Sequence, residues 1–301
     1  MICAEKSAIC PCRALVKTAA NIQFYEFIGD KELFLPLMSV YKDQVGNLVR
    51  LSKRPQRIIS LVPSQSEYLW DLGLRSALVG ITKFCIHPDE MYCGFARVGG
   101  TKKLDLDKIR ELKPDLIIGN KEENERSQIE ELQKEFPVWM SDIYTFEDTF
   151  AMMKAIGEML DKRKESETLV DTLRNSLTSI QNIFVKKRVA YFIWNKPYML
   201  AASSTFIDHV LNHLGLENAL SKYDRYPELN EDQLQEINPD ICFLSSEPFP
   251  FKEEHVKELQ IILPKSQIVI VDGEVFSWYG TRLLHLAKYV AGLPLRQIEC
   301  Q

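Results

Sequence analysis

Within nine residues of this 301-residue chain fall three side chains that metals favour, Cys85, His87 and Cys93. Thiolate and imidazole donors of that kind suit zinc or cobalt. Their spacing fits no standard zinc motif, however, and a buried free cysteine behaves as a small hydrophobe. No resident metal is expected, and His87, directly ahead of Pro88, is left to cap a turn or to contact a ligand. A second set is aromatic. Phe84, Trp194, Tyr198, Trp278 and Tyr279 supply large, flat contact area, which a corrin, a porphyrin or an aryl ligand requires. Ordinary packing is the competing role for each of them.

Polar candidates flank these rings. Arg282, after Trp278-Tyr-Gly, can grip a carboxylate or phosphate through two parallel hydrogen bonds, or pair with a glutamate of its own chain. The segment Gly99-Gly-Thr-Lys-Lys103, with Thr101 and Lys102 at its centre, offers amides and lysines to an anion but lacks the frame of a P-loop. Ser64, Gln65, Asn120, Glu122 and Glu247 complete the candidate ligand contacts. A solvated turn is the competing reading for Glu122 and its neighbour Glu123. Ser203-Ser-Thr205 reads as a helix entry, with Thr205 as its cap and Asp208 at the third helical position. Catalytic patterns are missing: there is no G-x-S-x-G elbow, no Walker loop, no G-x-G-x-x-G after the first strand and no H-E-x-x-H. No catalytic residue and no intrinsic cofactor are expected.

An internal repeat must position these residues. Leu104-Asp-Leu-Asp-Lys-Ile-Arg-Glu-Leu-Lys-Pro-Asp-Leu-Ile-Ile118 aligns without a gap on Leu229-Asn-Glu-Asp-Gln-Leu-Gln-Glu-Ile-Asn-Pro-Asp-Ile-Cys-Phe243. Both read as a short helix, a Pro-Asp turn and a buried strand. Ile109 and Leu112, or Leu234 and Ile237, lie three apart on one helical face, and the proline stops the helix. A second pairing sets Arg57-Ile-Ile-Ser-Leu-Val62 against Arg188-Val-Ala-Tyr-Phe-Ile193, then Leu69-Trp-Asp-Leu-Gly-Leu74 against Leu211-Asn-His-Leu-Gly-Leu216. The second copy carries an insertion of about 11 residues between its two parts. Each unit thus opens strand, helix, strand, with a glycine ending the helix, which predicts parallel sheets with right-handed crossovers. Ligands of such sheets bind beyond the carboxyl ends of the strands, where the candidate loops lie.

Between the copies, residues 146–183 hold no proline and keep apolar residues at helical spacing, from Phe150, Met153, Ile156 and Leu160 to Leu169, Leu173, Leu177 and Ile180. A break is expected at Asp161-Lys-Arg-Lys-Glu-Ser-Glu, followed by a linker helix starting near Lys164. About 20 residues of helix span roughly 30 Å and act as a stiff spine. The expected fold class is α/β: two Rossmann-like lobes with parallel sheets joined by a long backbone helix. Its parts are an N-terminal extension over 1–40, a lobe over 41–160, the linker helix over 161–187 and a second lobe over 188–301. The extension reads as weakly ordered or as a mis-assigned start, given Met38 just before the lobe.

Hydrophobic residues make up 46% of the chain, enough for a full core, and the net charge of -5 gives nucleic acid no broad basic face. Seven cysteines follow no disulfide framework, so reduced, mostly buried thiols are expected. No apolar run reaches the roughly 20 residues of a membrane span.

Two α/β units bridged by one helix, with Leu112-Lys-Pro-Asp-Leu-Ile-Ile118 and its second copy, resemble the helical-backbone, class III periplasmic substrate-binding proteins for cobalamin, haem, siderophores and metals. The resemblance covers residues 50–295. Gly99-Gly-Thr-Lys-Lys103, Gly119-Asn-Lys-Glu-Glu-Asn124, Glu247-Pro-Phe-Pro-Phe251 and Ser277-Trp-Tyr-Gly-Thr-Arg282 are similar to a branch of metal or cobalamin receptors. It implies a monomer that captures a cobalamin-like, haem-like or metal-chelate ligand between its lobes and delivers it to an ABC transporter permease. In cobalamin members, one acid on each lobe docks on the transporter. Asp107 falls at the first such position, whereas the second holds Ser277, with Glu274 nearby. The family implies a periplasmic or membrane-associated protein, while no export signal reads in the chain as written, which points to the cytoplasm. A cytoplasmic cofactor-handling protein or enzyme on the same scaffold is the alternative.

Overall fold

The computed structural model describes residues 38–295, together with the backbone of two strands, β1 (Arg13–Lys17) and β2 (Ile22–Glu26), which pair antiparallel. Of the extension expected over 1–40, the rest of residues 1–37 lies outside the described residues, as do Cys3, Cys10, Cys12 and Cys300. A second antiparallel hairpin follows, β3 (Ser39–Lys42) with β4 (Leu48–Leu51). The Asp43 carboxylate closes its turn by accepting from the amides of Val45 and Asn47, at 3.1 and 2.6 Å.

Lobe one alternates strand and helix: β5 (Ile58–Ser60), α1 (Pro63–Asp71), β6 (Leu78–Ile81), β7 (Ala96–Arg97), α2 (Leu106–Leu112), β8 (Leu116–Asn120), α3 (Arg126–Leu132) and β9 (Val138–Ser141). Its five strands run in the order β7-β6-β5-β8-β9 and are all parallel, as the crossover pattern predicts. An unpaired edge strand is an aggregation hazard. Here the β3–β4 turn covers β9: Gln44 donates its backbone amide to the Met140 carbonyl at 3.1 Å, and its side chain accepts from Asp142 N at 3.1 Å.

Two helices then run back to back, α4 (Phe146–Met159) and α5 (Arg163–Thr178). They break where the charged stretch lies, with Asp161 at a left-handed φ of 56°. The linker helix α5 has 16 residues, shorter than expected, and so spans about 24 Å. Its loss of length comes at the C-terminal end, where the chain leaves the helix after Thr178. The buried Tyr68 hydroxyl ties α1 to this pair, donating to Met153 O at 2.7 Å with Ser166 Oγ 3.0 Å away.

Lobe two contains β10 (Arg188–Trp194), β11 (Tyr198–Ala201), α6 (Phe206–His213), β12 (Glu217–Asn218), β13 (Glu228–Leu229), α7 (Glu231–Ile237), β14 (Ile241–Ser245), α8 (Glu253–Ile262), β15 (Gln267–Val271), α9 (Gly273–Ser277) and α10 (Leu286–Ala291). β10, β14 and β15 are parallel, but β11 pairs antiparallel with β10 and β13 with β11. The second sheet is therefore mixed rather than purely parallel. The physical reason is the insertion, which returns the chain through a hairpin before α6 begins. Thr205 caps α6 as expected, accepting from Asp208 N at 3.1 Å.

The repeat has a mechanical meaning. Both α1 and α6 end on glycine in the left-handed region, Gly73 at φ 72° and Gly215 at φ 85°. In each, the residue after glycine donates back into the helix: Leu74 N to Leu69 O at 3.1 Å and Leu216 N to Leu211 O at 3.0 Å. Each Pro-Asp turn follows a left-handed residue, Lys113 or Asn238. The aspartate then reaches the start of the first strand of its own sheet. Asp115 accepts from the amides of Gln56 and Arg57, both at 2.9 Å or less from one of its oxygens. Asp240 accepts from Arg188 N at 2.8 Å. Each arginine returns the contact to the helix end, Arg57 Nε to Leu112 O at 3.1 Å and Arg188 Nη1 to Asn238 O at 3.2 Å. The two repeated segments of each lobe thus clamp one another.

One large apolar cluster runs from Ile58, Leu116 and Trp139 through Ile156, Leu173 and Leu177 to Tyr191, Phe243 and Leu283, so the helix pair shares its core with both sheets. Asp115→Ala should cost about 1–2 kcal/mol, because it removes charge-assisted hydrogen bonds to two solvent-exposed backbone amides. Urea unfolding measures this. A stability within about 0.5 kcal/mol of the parent, the range of ordinary surface changes, would show that the clamp is ornamental.

Candidate functional site

The carboxyl ends of the two sheets face each other, and loops from both sides meet. His87, in the loop after β6, places Nε2 2.8 Å from Glu274 Oε2 on α9. The His87 ring also meets the edge of Trp278, with centroids 5.9 Å apart. Burial and the neighbouring Arg282 guanidinium push the His87 imidazole below its ordinary pKa.

Arg282 is the hub of this constellation. Its Nε lies 3.0 Å from Glu67 Oε2 on α1, its Nη2 lies 3.9 Å from Glu274, and its guanidinium covers the Trp278 ring at 5.2 Å. Both partners of the Arg282–Glu67 pair are largely buried. Burial pushes the Glu67 carboxyl up to about 7, and Arg282 offsets only part of that rise. Glu247, on the loop after β14, accepts from Ser277 Oγ at 2.9 Å and from Trp278 Nε1 at 2.8 Å, which fixes the indole. Glu122 closes a further cross-lobe pair with Arg225 at 3.1 Å. Its neighbour Glu123 is pushed up to about 7 by burial and by the charges of Glu122 and Glu247.

Behind these charges lies a buried polar layer. Gln65, fully buried on α1, donates to Ser141 Oγ at 2.7 Å and to Gly119 O at 3.2 Å, with the Tyr279 hydroxyl at 3.5 Å. Ser64 and Ser141 engage the same hydroxyl. The Oε1 of Gln65 is buried without a partner. Asn120 ends β8, donates to Ser141 Oγ at 2.9 Å and accepts from the amides of Glu122 and Glu123 at 2.8 and 3.0 Å. Ser64, Gln65, Asn120 and Tyr279 thus support the site from beneath.

A third group lies on the rim of lobe one. An open groove of about 880 Å3 is lined there by Phe84, Thr101 and Lys102 of the candidate set, and also by Asp107. Phe84 is 48% exposed. The remaining two candidates stand apart. Trp194, 41% exposed, meets the Phe249 ring edge-on at 5.6 Å. Tyr198 is buried against Phe192 in the core of lobe two. Asp107 is exposed on α2 and bonds Arg110, at 3.2 Å. Ser277 and Glu274, the residues at or near the second docking position, are engaged by Glu247 and His87.

Cys85 is buried and hydrogen-bonded among Ser66 and Thr82, Cys93 is exposed, and no cluster of three His, Cys, Asp or Glu side chains forms among the described residues. Sequence reasoning missed Glu67 and Arg225. Arg225 carries no local signal, because its role depends on contact across the lobes. Glu67 left a faint one, a charge on the otherwise apolar and small-residue face of α1, seven of whose nine residues are buried.

Two α/β lobes on a shared helical core, with charged and aromatic loops meeting between them, are the architecture of a two-lobed ligand receptor. Residues 58–260 match the periplasmic binding protein family, and the chain belongs to it. An uncharacterized ABC transporter substrate-binding lipoprotein, YvrC of Bacillus subtilis strain 168, is 25% identical over 205 residues; the match covers 64% of this chain and 64% of that protein, less than two thirds of its length. The vitamin B12-binding protein of Vibrio parahaemolyticus is 26% identical, with 71% of this chain and 77% of the relative covered. Among solved structures, a periplasmic haem-binding protein from Pseudomonas aeruginosa superposes with a TM-score of 0.68 at 20% identity, covering 81% of this chain and 95% of the other. That likeness bears out the two-lobed α/β fold. Among the described residues no helix is long and apolar enough to cross a membrane.

Arg282→Ala leaves Glu67 and Glu274 without their shared counter-charge, and should cost about 3–5 kcal/mol, the range for breaking a buried pair. A carboxyl raised from 4.5 to about 7 on folding stabilises fully below its unfolded pKa, and that contribution is lost as pH climbs through the folded value. Removing Arg282 raises Glu67 further. The deficit should therefore be larger at pH 8 than at pH 6, which thermal unfolding at the two pH values reads directly; a pH-independent deficit contradicts the assignment.

Proposed function

We propose that this chain captures a cobalamin-like, haem-like or metal-chelate ligand between its lobes and hands it to an ABC-type permease, without making or breaking a bond. The observation that carries this reading is the meeting of the two sets of carboxyl-end loops at His87, Glu274, Trp278 and Arg282. A flat ligand entering there would replace side-chain contacts that now span the lobes. His87–Glu274 and Arg225–Glu122 must part for entry, and both are hydrogen-bonded or ionic pairs that a polar ligand can substitute. The names of the Vibrio and Pseudomonas relatives, a B12 binder and a haem binder, support the ligand class.

Delivery would use the exposed Asp107 on lobe one. On lobe two, Glu274 would become available only after its contact to His87 opens, which would link docking to the state of the cleft.

Titration with cyanocobalamin, haemin and a ferric hydroxamate should give saturable tryptophan quenching with at least one of the three. Trp278→Phe should remove most of that signal, while Trp194→Phe, on the outer aromatic pair, should remove less. A flat response to all three ligands would end the reading. With both proteins saturated with ligand, Asp107→Lys should lower ligand-stimulated ATP hydrolysis by the cognate transporter in vesicles. Equal stimulation by both proteins would exclude Asp107 from docking.

A further inference from the structure

We infer that the groove on the rim of lobe one is an anion subsite, which selects flat ligands bearing carboxylate groups at their edge. The inference rests on the capture of a ligand in the adjoining cleft, and it adds a charge requirement to that reading.

The groove is lined by Lys83, Lys102, Lys103 and Arg110 against two carboxylates, Asp105 and Asp107. Both carboxylates are already engaged. Asp105 caps α2 by accepting from Lys108 N at 3.0 Å, and Asp107 is bonded to Arg110. Among the described residues neither Lys83 nor Lys103 pairs with an acid, and Lys102 donates to the carbonyl of Glu122. With Asp107 paired to Arg110, Lys83, Lys102 and Lys103 outnumber the remaining carboxylate of the lining, Asp105, and leave a positive local field in a chain of net charge -5.

The cluster is also built rather than merely exposed. Gly100 N donates to Lys103 O at 2.8 Å, closing the loop, and Gly99 takes φ +95°, where a Cβ would stand 2.5 Å from that same carbonyl. The loop is anchored from behind: Asn124 Nδ2 donates to Thr101 O at 3.0 Å, Gln128 Nε2 to Lys102 O at 2.9 Å, and Leu104 N to Gln128 Oε1 at 2.7 Å. A Cβ on Gly100 would press on Phe84 and Lys83, at 3.2 and 3.3 Å, so the bare glycine lets both side chains lie on the loop. Lys83 Nζ stands 4.9 Å from the centre of the Phe84 ring. A cation over an aromatic face, next to a rigid loop carrying two more cations, suits a flat ligand with acidic substituents.

The groove also joins the cleft. Lys102 bonds the carbonyl of Glu122, whose carboxylate pairs with Arg225 across the lobes. A ligand ring held between the lobes could therefore extend its acidic edge over the loop. Haem carries two carboxylates, whereas the periphery of cobalamin is mostly neutral amide, so the subsite favours the former.

The test uses haemin and its dimethyl ester, which share a ring and differ in charge, with cyanocobalamin alongside. The full chain should bind haemin more tightly than the ester, with haemin affinity falling as salt rises. The triple variant Lys83→Gln, Lys102→Gln, Lys103→Gln should weaken haemin about 10- to 100-fold, as loss of charge-assisted hydrogen bonds implies, and leave the ester unchanged. All three sites are exposed, so a matching thermal unfolding curve should accompany the loss. Equal binding of haemin and ester, binding of cyanocobalamin alone, or an unaltered triple variant would overturn the subsite while leaving ligand capture intact. Failure of all three probes with the parent chain would overturn capture and subsite together. Unchanged binding with reduced transporter stimulation would reassign the lysines to docking, and so also refute the subsite.

Discussion

The contact on which the architecture depends is the exchange between an aspartate after a proline and the first residues of its sheet. Asp115 holds the amides of Gln56 and Arg57, and Asp240 holds that of Arg188. The arginines answer by donating to the helix ends at Leu112 and Asn238. This exchange sets the register between β5 and β8, and between β10 and β14, at the end of each sheet opposite the ligand loops. Once that register is set, Ser60 and Ile118 end their ladder together, and the segments beginning at Val62 and Gly119 are delivered side by side. A loop can then differ freely in sequence without losing its place.

Lobe closure works against a different balance. The cross-lobe contacts join His87 to Glu274, Arg282 to Glu67 and Arg225 to Glu122. Two cations thus serve a larger group of acids, and burial raises the carboxyls of Glu67, Glu123, Glu247 and Glu274. The interface is held together by directed hydrogen bonds but is electrostatically uneasy. Such an interface favours opening more readily than an apolar one of equal extent, because its polar groups are welcomed back by water. The shared apolar core around α4 and α5 meanwhile keeps the two sheets on one body.

The difference between the two sheets follows from the extra residues of the second copy. They form β11 and its connection, convert a parallel sheet into a mixed one and carry Tyr198 into the core of lobe two, while Trp194 packs on Phe249. Aromatics that look equivalent along the chain therefore have different fates. Trp278 is fixed by Glu247 and faces His87, whereas Tyr198 belongs to the second lobe's core.

Local patterns in the chain were sufficient for everything that depends on near neighbours: the duplicated units, the glycine-ended helices, the capped entry to α6, the break at Asp161 and the α/β class. Those features obey the short-range rules of backbone conformation and periodicity, so a few residues determine each. Pairings over a hundred or more positions were invisible. Nothing near Glu67 marks Arg282 as its partner, and nothing near Arg225 marks Glu122. A charge carries no record of what will neutralise it; only the packing of one lobe against the other decides that, because burial and distance, rather than residue type, set the strength of each electrostatic contact.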